Sequence, residues 1–451
     1  MSKKKDMYID YKRSFKRRGR RRSKLWQTIL LALIIIGVGV GVGYSIWIRI
    51  DSNNQISNAQ DNTSKELSMG QQGTGQLLTG KEQLGDEQPQ PTVTIAVTPT
   101  PLPTLPPVTE EAIEVMESRV PVKGKGIYVT SAIAGSGLMD ELITLADTTE
   151  INTMVIDIKD DLGKITYKMD SALAKEIAST TNTIKDMEGF VKKLKSHNIY
   201  LIARIVAFKD PYLADQRKDL AIKNKDGSIY LDNNGEGWVN PYNHKVWEYL
   251  IEVASQAAAV GFDEIQFDYI RFSTGNGIAN ADFGKAAKDK TKEEVIIEFT
   301  KYAYENLKPL GVYVSADVYG TIISSSIDAG LVGQNFVEMA KYLDYICPMI
   351  YPSHFGEGNY GIEYPDLEPK NIIRKALTAS KEKLEELPED EHRAIVRPWL
   401  QDFTATWIEH HMRYGGDELR EQIEGVYGAG YDEWLLWNSG CNYSVNGLLV
   451  E

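Results

Sequence analysis

Beyond Arg119 the chain alternates a short β-rich run with a stretch of helical periodicity eight times over, and few architectures accept that pattern. The strand candidates are 126–130, 153–159, 200–207, 264–268, 312–317, 345–350, 394–399 and 433–438. Helical spacing lies between them, as in 245–260, where Val246, Leu250, Val253 and Ala257 share one face. Eight β/α units in roughly 330 residues predict an α/β protein with a (β/α)8 TIM barrel. A doubly wound open sheet is the alternative. It usually has fewer strands and an early Gly-rich phosphate turn, and none is present here.

Connection lengths favour the barrel. Helix-to-strand links are short, as at His197-Asn198, Gly261-Phe262-Asp263, Leu310-Gly311 and Gly430-Tyr431-Asp432. Strand-to-helix links are long at 208–241, 272–290, 351–368 and 401–417. In a barrel all of the long ones emerge at the C-terminal face, where active sites are built. The eighth helix is the weak unit, because only 439–451 follow the last strand. It is expected to be short or partly replaced by a helix from Thr109 through Ser118.

Ahead of the barrel the sequence predicts an anchor and a stalk. Residues 1–24 carry twelve Lys and Arg against Asp6 and Asp10, so the net charge of −13 hides a +10 head on a −23 body. An acidic body makes nucleic acid a poor partner. Residues 25–48 contain no charge, and a helix of that length spans about 36 Å, enough for a hydrocarbon core of about 30 Å. Trp26, Tyr44 and Trp47 stand near its ends, where amphipathic rings favour the interface. The basic head should stay cytoplasmic and the rest lie outside, a single-pass transmembrane signal anchor in the cell membrane. A cleaved signal peptide is the rival, but neither a short apolar core nor an A-x-A-like site is seen. Residues 49–108 read as a disordered extracellular linker, with seven of the 17 prolines between Pro89 and Pro107. The domain plan is therefore 1–24 head, 25–48 anchor, 49–108 Pro/Thr-rich stalk and 109–451 barrel.

Candidate chemistry gathers at the strand ends. Alternation points Asp157, Lys159, Arg204, Asp268, Asp317 and Arg397 into the barrel, with Asp402 just past strand seven. A structural ion-pair network is the bland reading, since buried charges must be paired. The functional reading is glycoside hydrolysis, which needs one carboxylic acid for the leaving oxygen and a second carboxylate as nucleophile or base. Asp268 and Asp317 end neighbouring strands, which suits the closer, retaining separation of about 5–5.5 Å. Aromatic and amide side chains on the long loops add sugar-binding surface, among them Tyr351, His354, Trp399, Gln401, Trp437 and Asn438.

Other chemistries fit less well. Two cysteines, Cys347 and Cys441, and six histidines without an HxH or HExxH pattern argue against a Cys-rich zinc or iron–sulfur module and against a histidine-built metal site, and no recognisable loop motivates a calcium ion. No organic cofactor is implied. Lys159 beside Asp157 and Asp160 reads as an ion pair rather than a Schiff-base lysine.

Four motifs resemble a bacterial glycoside hydrolase family. They are the run from Gly261 to Phe272 (GFDEIQFDYIRF), Arg397-Pro398-Trp399-Leu400-Gln401-Asp402-Phe403, the run from Cys347 to His354 (CPMIYPSH), and Leu435-Leu436-Trp437-Asn438. The resemblance covers 123–451 and implies a barrel of the α-amylase-like superfamily. Carried over by position, it makes Asp268 the nucleophile, Asp317 the acid/base and Asp402 the transition-state stabiliser. Three positions depart from that plan. Gln266 stands where an Arg is usual, Asp317 where a Glu is usual, and Gln401 where a His precedes the Asp.

The sequence thus predicts a membrane-anchored extracellular hydrolase of a cell-envelope or extracellular polysaccharide. Asp268, Asp317 and Asp402 are the catalytic candidates, with Asp157 and Asp160 in reserve for the acid/base. Asp157, Lys159, Arg204, Arg271, Tyr351, His354, Trp399, Gln401, Trp437 and Asn438 are the substrate-binding candidates. The departures at Gln266 and Asp317 favour an alternative, a non-catalytic glycan-binding or wall-organising module on the same barrel. A surface scaffold that binds protein through its aromatic loops is a third reading.

Overall fold

A computed structural model describes residues 119–450. The predicted head, anchor, stalk and 109–118 helix lie outside the described residues. Among the described residues no helix is long and apolar enough to cross a membrane.

Eight strands follow one another around a closed, all-parallel barrel. They are β1 (Lys125–Val129), β2 (Thr153–Lys159), β3 (Tyr200–Val206), β4 (Glu264–Asp268), β5 (Tyr313–Tyr319), β6 (Tyr345–Met349), β7 (Ile395–Val396 with Trp399–Gln401) and β8 (Trp434–Trp437). Neighbours in sequence are neighbours in the sheet, and β8 closes on β1 through Gly126↔Leu435 and Ile127↔Leu436. Gly126 suits that seam, because a Cβ there would lie 2.6 Å from the Leu435 side chain and force it to shift. The two halves of β7 are divided at Pro398, which has no N–H to give the ladder. Its carbonyl still accepts from Leu435 N at 2.8 Å, so the strand continues through the interruption.

Valine and isoleucine dominate the buried faces, as in Met154, Val155, Ile156 and Ile158 of β2, all fully buried between barrel core and helices. Helices pack outside. The helix His244–Ala259 begins at Asn243, whose side chain accepts from Lys245 N, and it buries the predicted Val246, Leu250, Val253 and Ala257. Such a cap contributes about 1 kcal/mol. Among the described residues no α-helix follows β8; the tail holds a short 3-10 turn, Val445–Gly447, and is pinned by Leu449 N donating to Glu150 at 2.9 Å.

The long loops lie on the C-terminal rim as expected. Two of them are tied together by a small antiparallel ribbon, Lys223↔Asp282 and Asn224↔Ala281, which braces the rim between β3 and β4.

Candidate active site

Alternation along each strand builds layers inside the barrel, and the polar residues fall into two of them. The lower layer, near the N-terminal face, holds Arg397. Its guanidinium pairs with Glu264 and stands 3.7 Å from Glu433, while Ser315 Oγ (2.5 Å) and Tyr200 OH (3.0 Å) donate to Glu264. Arg397 was expected near the top. It is not there because β7 runs on to Gln401, which leaves Arg397 in the strand's lower half.

The upper layer centres on Arg204, fully buried on β3. It donates to Asp157 at 2.7 Å, to Asp268 Oδ2 from Nε at 3.0 Å and Nη2 at 2.6 Å, and to Asp161 at 3.2 Å. In register, Arg204 lies beside Gln266. The guanidinium missing from position 266 is thus supplied to Asp268 by the adjacent strand. Gln266 itself faces Cys347 Sγ at 3.4 Å in the layer beneath.

The Asp268 side chain is oriented from a second side as well. Its Oδ1 accepts from Tyr269 N at 2.6 Å. Tyr269 has φ +49°, a left-handed conformation that is uncommon for a bulky residue. Strain of this kind persists where surroundings enforce it, and it clusters at functional sites.

Asp317 is 2% exposed, and among the described residues its carboxyl takes one hydrogen bond, from Trp399 Nε1 to Oδ1 at 2.6 Å. Burial, and then the negative charge of Asp268, push its carboxyl well above the usual carboxylate range, against the opposing Trp399 bond. The pairing Phe267↔Ala316 brings Asp268 and Asp317 level at the ends of neighbouring strands. Adjacent strands lie about 4.8 Å apart.

These groups open into a cleft of about 500 Å³ at the C-terminal face. Of the thirteen residues expected at the site, the cleft is lined by Asp268, Asp317, Arg204, Arg271, Tyr351, His354, Trp399 and Trp437. Burial lowers the His354 pKa, and its Nδ1 stands 3.0 Å from Ser353 Oγ. Gly320 also lines the cleft, where a Cβ would lie 2.6 Å from the Met349 carbonyl.

Five expected residues do not line it. Lys159 is fully buried in a pair with Asp210 at 2.7 Å and donates to Val206 O, because the β2–β3 register shifts between Asp157 and Lys159. Asp157 stands behind Arg204 and accepts from Tyr128 OH at 2.6 Å. Asp402 accepts from Ser444 N and Oγ, at 2.8 and 2.7 Å, in the C-terminal tail; burial raises its pKa to about 6. Gln401 bonds Ser353, Asp366 and the Phe403 carbonyl, fixing the loop after β6. Asn438 closes a turn through Asp402 O, Asn442 and Gly440. The reserve Asp160 likewise caps its own turn, accepting from Leu162 N and Lys164 N.

Sequence reasoning missed Asp161, Tyr269, Tyr319 and Asp328 among the lining residues. Tyr319 was within reach, since it follows Asp317 by two and β5 extends to it. Asp328 comes from a short helix, Ser326–Val332, and no local pattern marks it. Among the described residues no cluster of His, Cys, Asp and Glu is arranged to hold a metal ion.

A (β/α)8 barrel with a buried carboxyl of raised pKa beside a second carboxylate in an aromatic-walled cleft has the parts that O-glycosyl hydrolysis needs. Residues 126–443 match the family described as "Putative glycosyl hydrolase domain", and the chain belongs to that family of glycoside hydrolases. Among solved structures, the PgaB (BpsB) glycoside hydrolase domain from Bordetella bronchiseptica is similar in fold, with a TM-score of 0.50 at 12% identity over 71% of this chain and 95% of that one. A hypothetical protein from Ruminiclostridium thermocellum is 40% identical over 43% of this chain and 97% of its own, with a TM-score of 0.40. The α-galactosidase TtGalA from Thermus thermophilus matches at 12% identity over 73% and 61%, with a TM-score of 0.42. No protein in the curated set matches the chain significantly.

Proposed function

We propose that the chain is a membrane-anchored hydrolase of an extracellular or cell-envelope polysaccharide, working through Asp268 and Asp317. The observation that carries this reading is the asymmetry of the pair. Asp317 is buried with a raised pKa and a single donor, while Asp268 accepts three N–H bonds, two from Arg204 and one from Tyr269. One group is suited to hold a proton and the other to carry negative charge.

In the reaction so assigned, the Asp317 carboxyl gives its proton to the glycosidic oxygen as that bond breaks. Asp268 attacks the anomeric carbon and forms a glycosyl ester. Water then attacks that carbon, with Asp317 now taking the proton and Asp268 leaving as carboxylate. The lateral closeness of the two strand ends fits this retaining course rather than the wider inverting one. The α-amylase-like plan would add Asp402 as stabiliser. Its bonds to Ser444 assign it instead to holding the tail, and Arg204 takes over the orienting of Asp268. That substitution bears on the departure at Gln266, one of the two that favoured a non-catalytic module; the other, Asp for Glu at 317, remains.

The anchor at 25–48 and the extended 49–108 stalk place the barrel outside the membrane in this reading. The test is a panel of cell-envelope, extracellular and storage polysaccharides offered to the full-length chain, with proton NMR following the anomeric signal of the first product. Release of the retained anomer from an envelope or extracellular glycan is expected. Release from storage glucans alone would move the substrate class, and the inverted anomer would overturn the covalent course.

A further inference from the structure

Arg204 and Arg271 both line the cleft, yet their surroundings differ. Arg204 is shared among Asp157, Asp161 and Asp268. Among the described residues no carboxylate lies within ion-pairing distance of Arg271. Its guanidinium makes one hydrogen bond, from Nη1 to the Phe272 carbonyl at 2.9 Å. Three aromatic rings surround it instead: Tyr319 at 4.7 Å, Tyr269 at 4.9 Å and Trp238 at 5.1 Å from the guanidinium carbon. Trp238 is itself fixed by donating to Asp232 Oδ2 at 3.0 Å.

The side chain is only 8% exposed. Ring faces hold a cation in place and contribute about 0.5–2 kcal/mol, but apart from the Nη1 bond to Phe272 they give its N–H donors no acceptor. None of its nitrogens is both buried and unpartnered, so the donors not bonded to Phe272 remain open to a group in the cleft. The planar guanidinium fork matches carboxylate and phosphate oxygens. Its position is coupled to the reacting pair, since the left-handed Tyr269 separates Asp268 from Arg271 by only two residues and contributes both a donor to Asp268 and a wall of the cage.

Resting on the hydrolase reading above, we infer that Arg271 is a specificity-determining residue for an acidic glycan, and that it binds one monoanionic group on a sugar seated beside Asp268. A single charge is favoured because Asp161 and Asp328 also line the cleft, so a more highly charged group would be repelled. A uronate carboxylate and a backbone phosphodiester share this chemistry.

Affinity electrophoresis of the full-length chain tests the inference. The gels contain polygalacturonate or polyglucuronate, the carboxyl-reduced neutral form of each, or a polyglycerol phosphate. The expected result is binding to an acidic polymer at least tenfold tighter than to its neutral counterpart, with that ratio falling at least tenfold in Arg271→Gln. Arg271→Lys, which keeps the charge and loses the fork, should retain part of the ratio and so separates charge recognition from loss of fold. Preference for the phosphodiester polymer alone, abolished by Arg271→Gln, would assign the same site to phosphodiesters. Equal binding of acidic and neutral forms, or a preference untouched in Arg271→Gln, would overturn the inference and leave the hydrolase reading standing. Failure to bind or cleave any polymer, acidic or neutral, would overturn both.

Discussion

Two buried ion clusters occupy opposite ends of one barrel, and each is built around a single arginine. At the lower end Arg397 faces two glutamates, and both oxygens of Glu264 are filled by Arg397, Ser315 and Tyr200. At the upper end Arg204 must serve three aspartates, and Asp317 beyond them has only the Trp399 N–H. Both clusters have carboxyl groups in excess of cations, and in each burial raises a carboxyl pKa, that of Glu433 below and that of Asp317 above. Only the upper one opens into the cleft. A proton held below serves the structure alone, whereas one held beside the cleft can be given to a substrate. The second condition is what acid catalysis needs.

Mutations at the two ends should therefore separate activity from stability. The largest effect after loss of the nucleophile is expected for Asp317→Asn. Its kcat should fall by about 10²–10⁴-fold on a substrate with a poor leaving group, and thermal unfolding should shift little. Replacing the two arginines should divide in the same way. Arg397→Met leaves Glu264 buried without its partner and is expected to cost about 3–5 kcal/mol in urea unfolding, with kcat of the folded enzyme unchanged. Arg204→Met should cost a similar amount and lower kcat as well, by less than Asp317→Asn. Equal loss of kcat in both variants would erase the distinction between the ends.

A finer effect concerns pH. Asp317 must be protonated to act as the acid, so kcat/KM should fall as pH rises through its raised pKa. The Trp399 bond opposes that rise. Trp399→Phe should therefore move the alkaline limb of the pH–rate profile to higher pH. Movement to lower pH would mean that another group sets the limb.

The smallest effect on turnover is expected for Asp402→Asn, with kcat retained within about tenfold, since Asp402 is bound to Ser444 rather than facing the cleft. Its signature should appear in stability. The folded-state pKa is raised from 3.8 to about 6. The protonated form thus contributes stability that is full below the unfolded pKa and lost as pH rises through the folded one. Melting temperature should decline across that window in the parent and be flatter in Asp402→Asn.

The eight strands were legible because burial on both faces writes runs rich in β-branched residues, as at 153–159, and because they recur between helical stretches; at 153–159 and 264–268 the expected and observed limits coincide. The strand-end charges were legible for the same reason, since a carboxylate in an apolar run is conspicuous. Height within the barrel was not. Arg397 and Arg204 look alike in sequence, and only strand length and register separate a lower-layer charge from an upper-layer one. Lys159 was displaced by one register shift, which no residue pattern announces. Asp328 and Asp161 reach the cleft from loops and a short helix whose paths depend on tertiary packing. The compensation of Gln266 by Arg204 is likewise a lateral relation between strands, invisible along either one.

The central claim is that Asp268 performs the chemistry in a cleft that the rest of the barrel merely supports. Its most direct test is reducing-end release from the polysaccharide panel by the parent chain and by Asp268→Asn, side by side, with thermal unfolding of both. The account predicts release by the parent, a loss of about three orders of magnitude or more in the variant, and nearly coincident unfolding curves. Release at comparable rates by both proteins would contradict it.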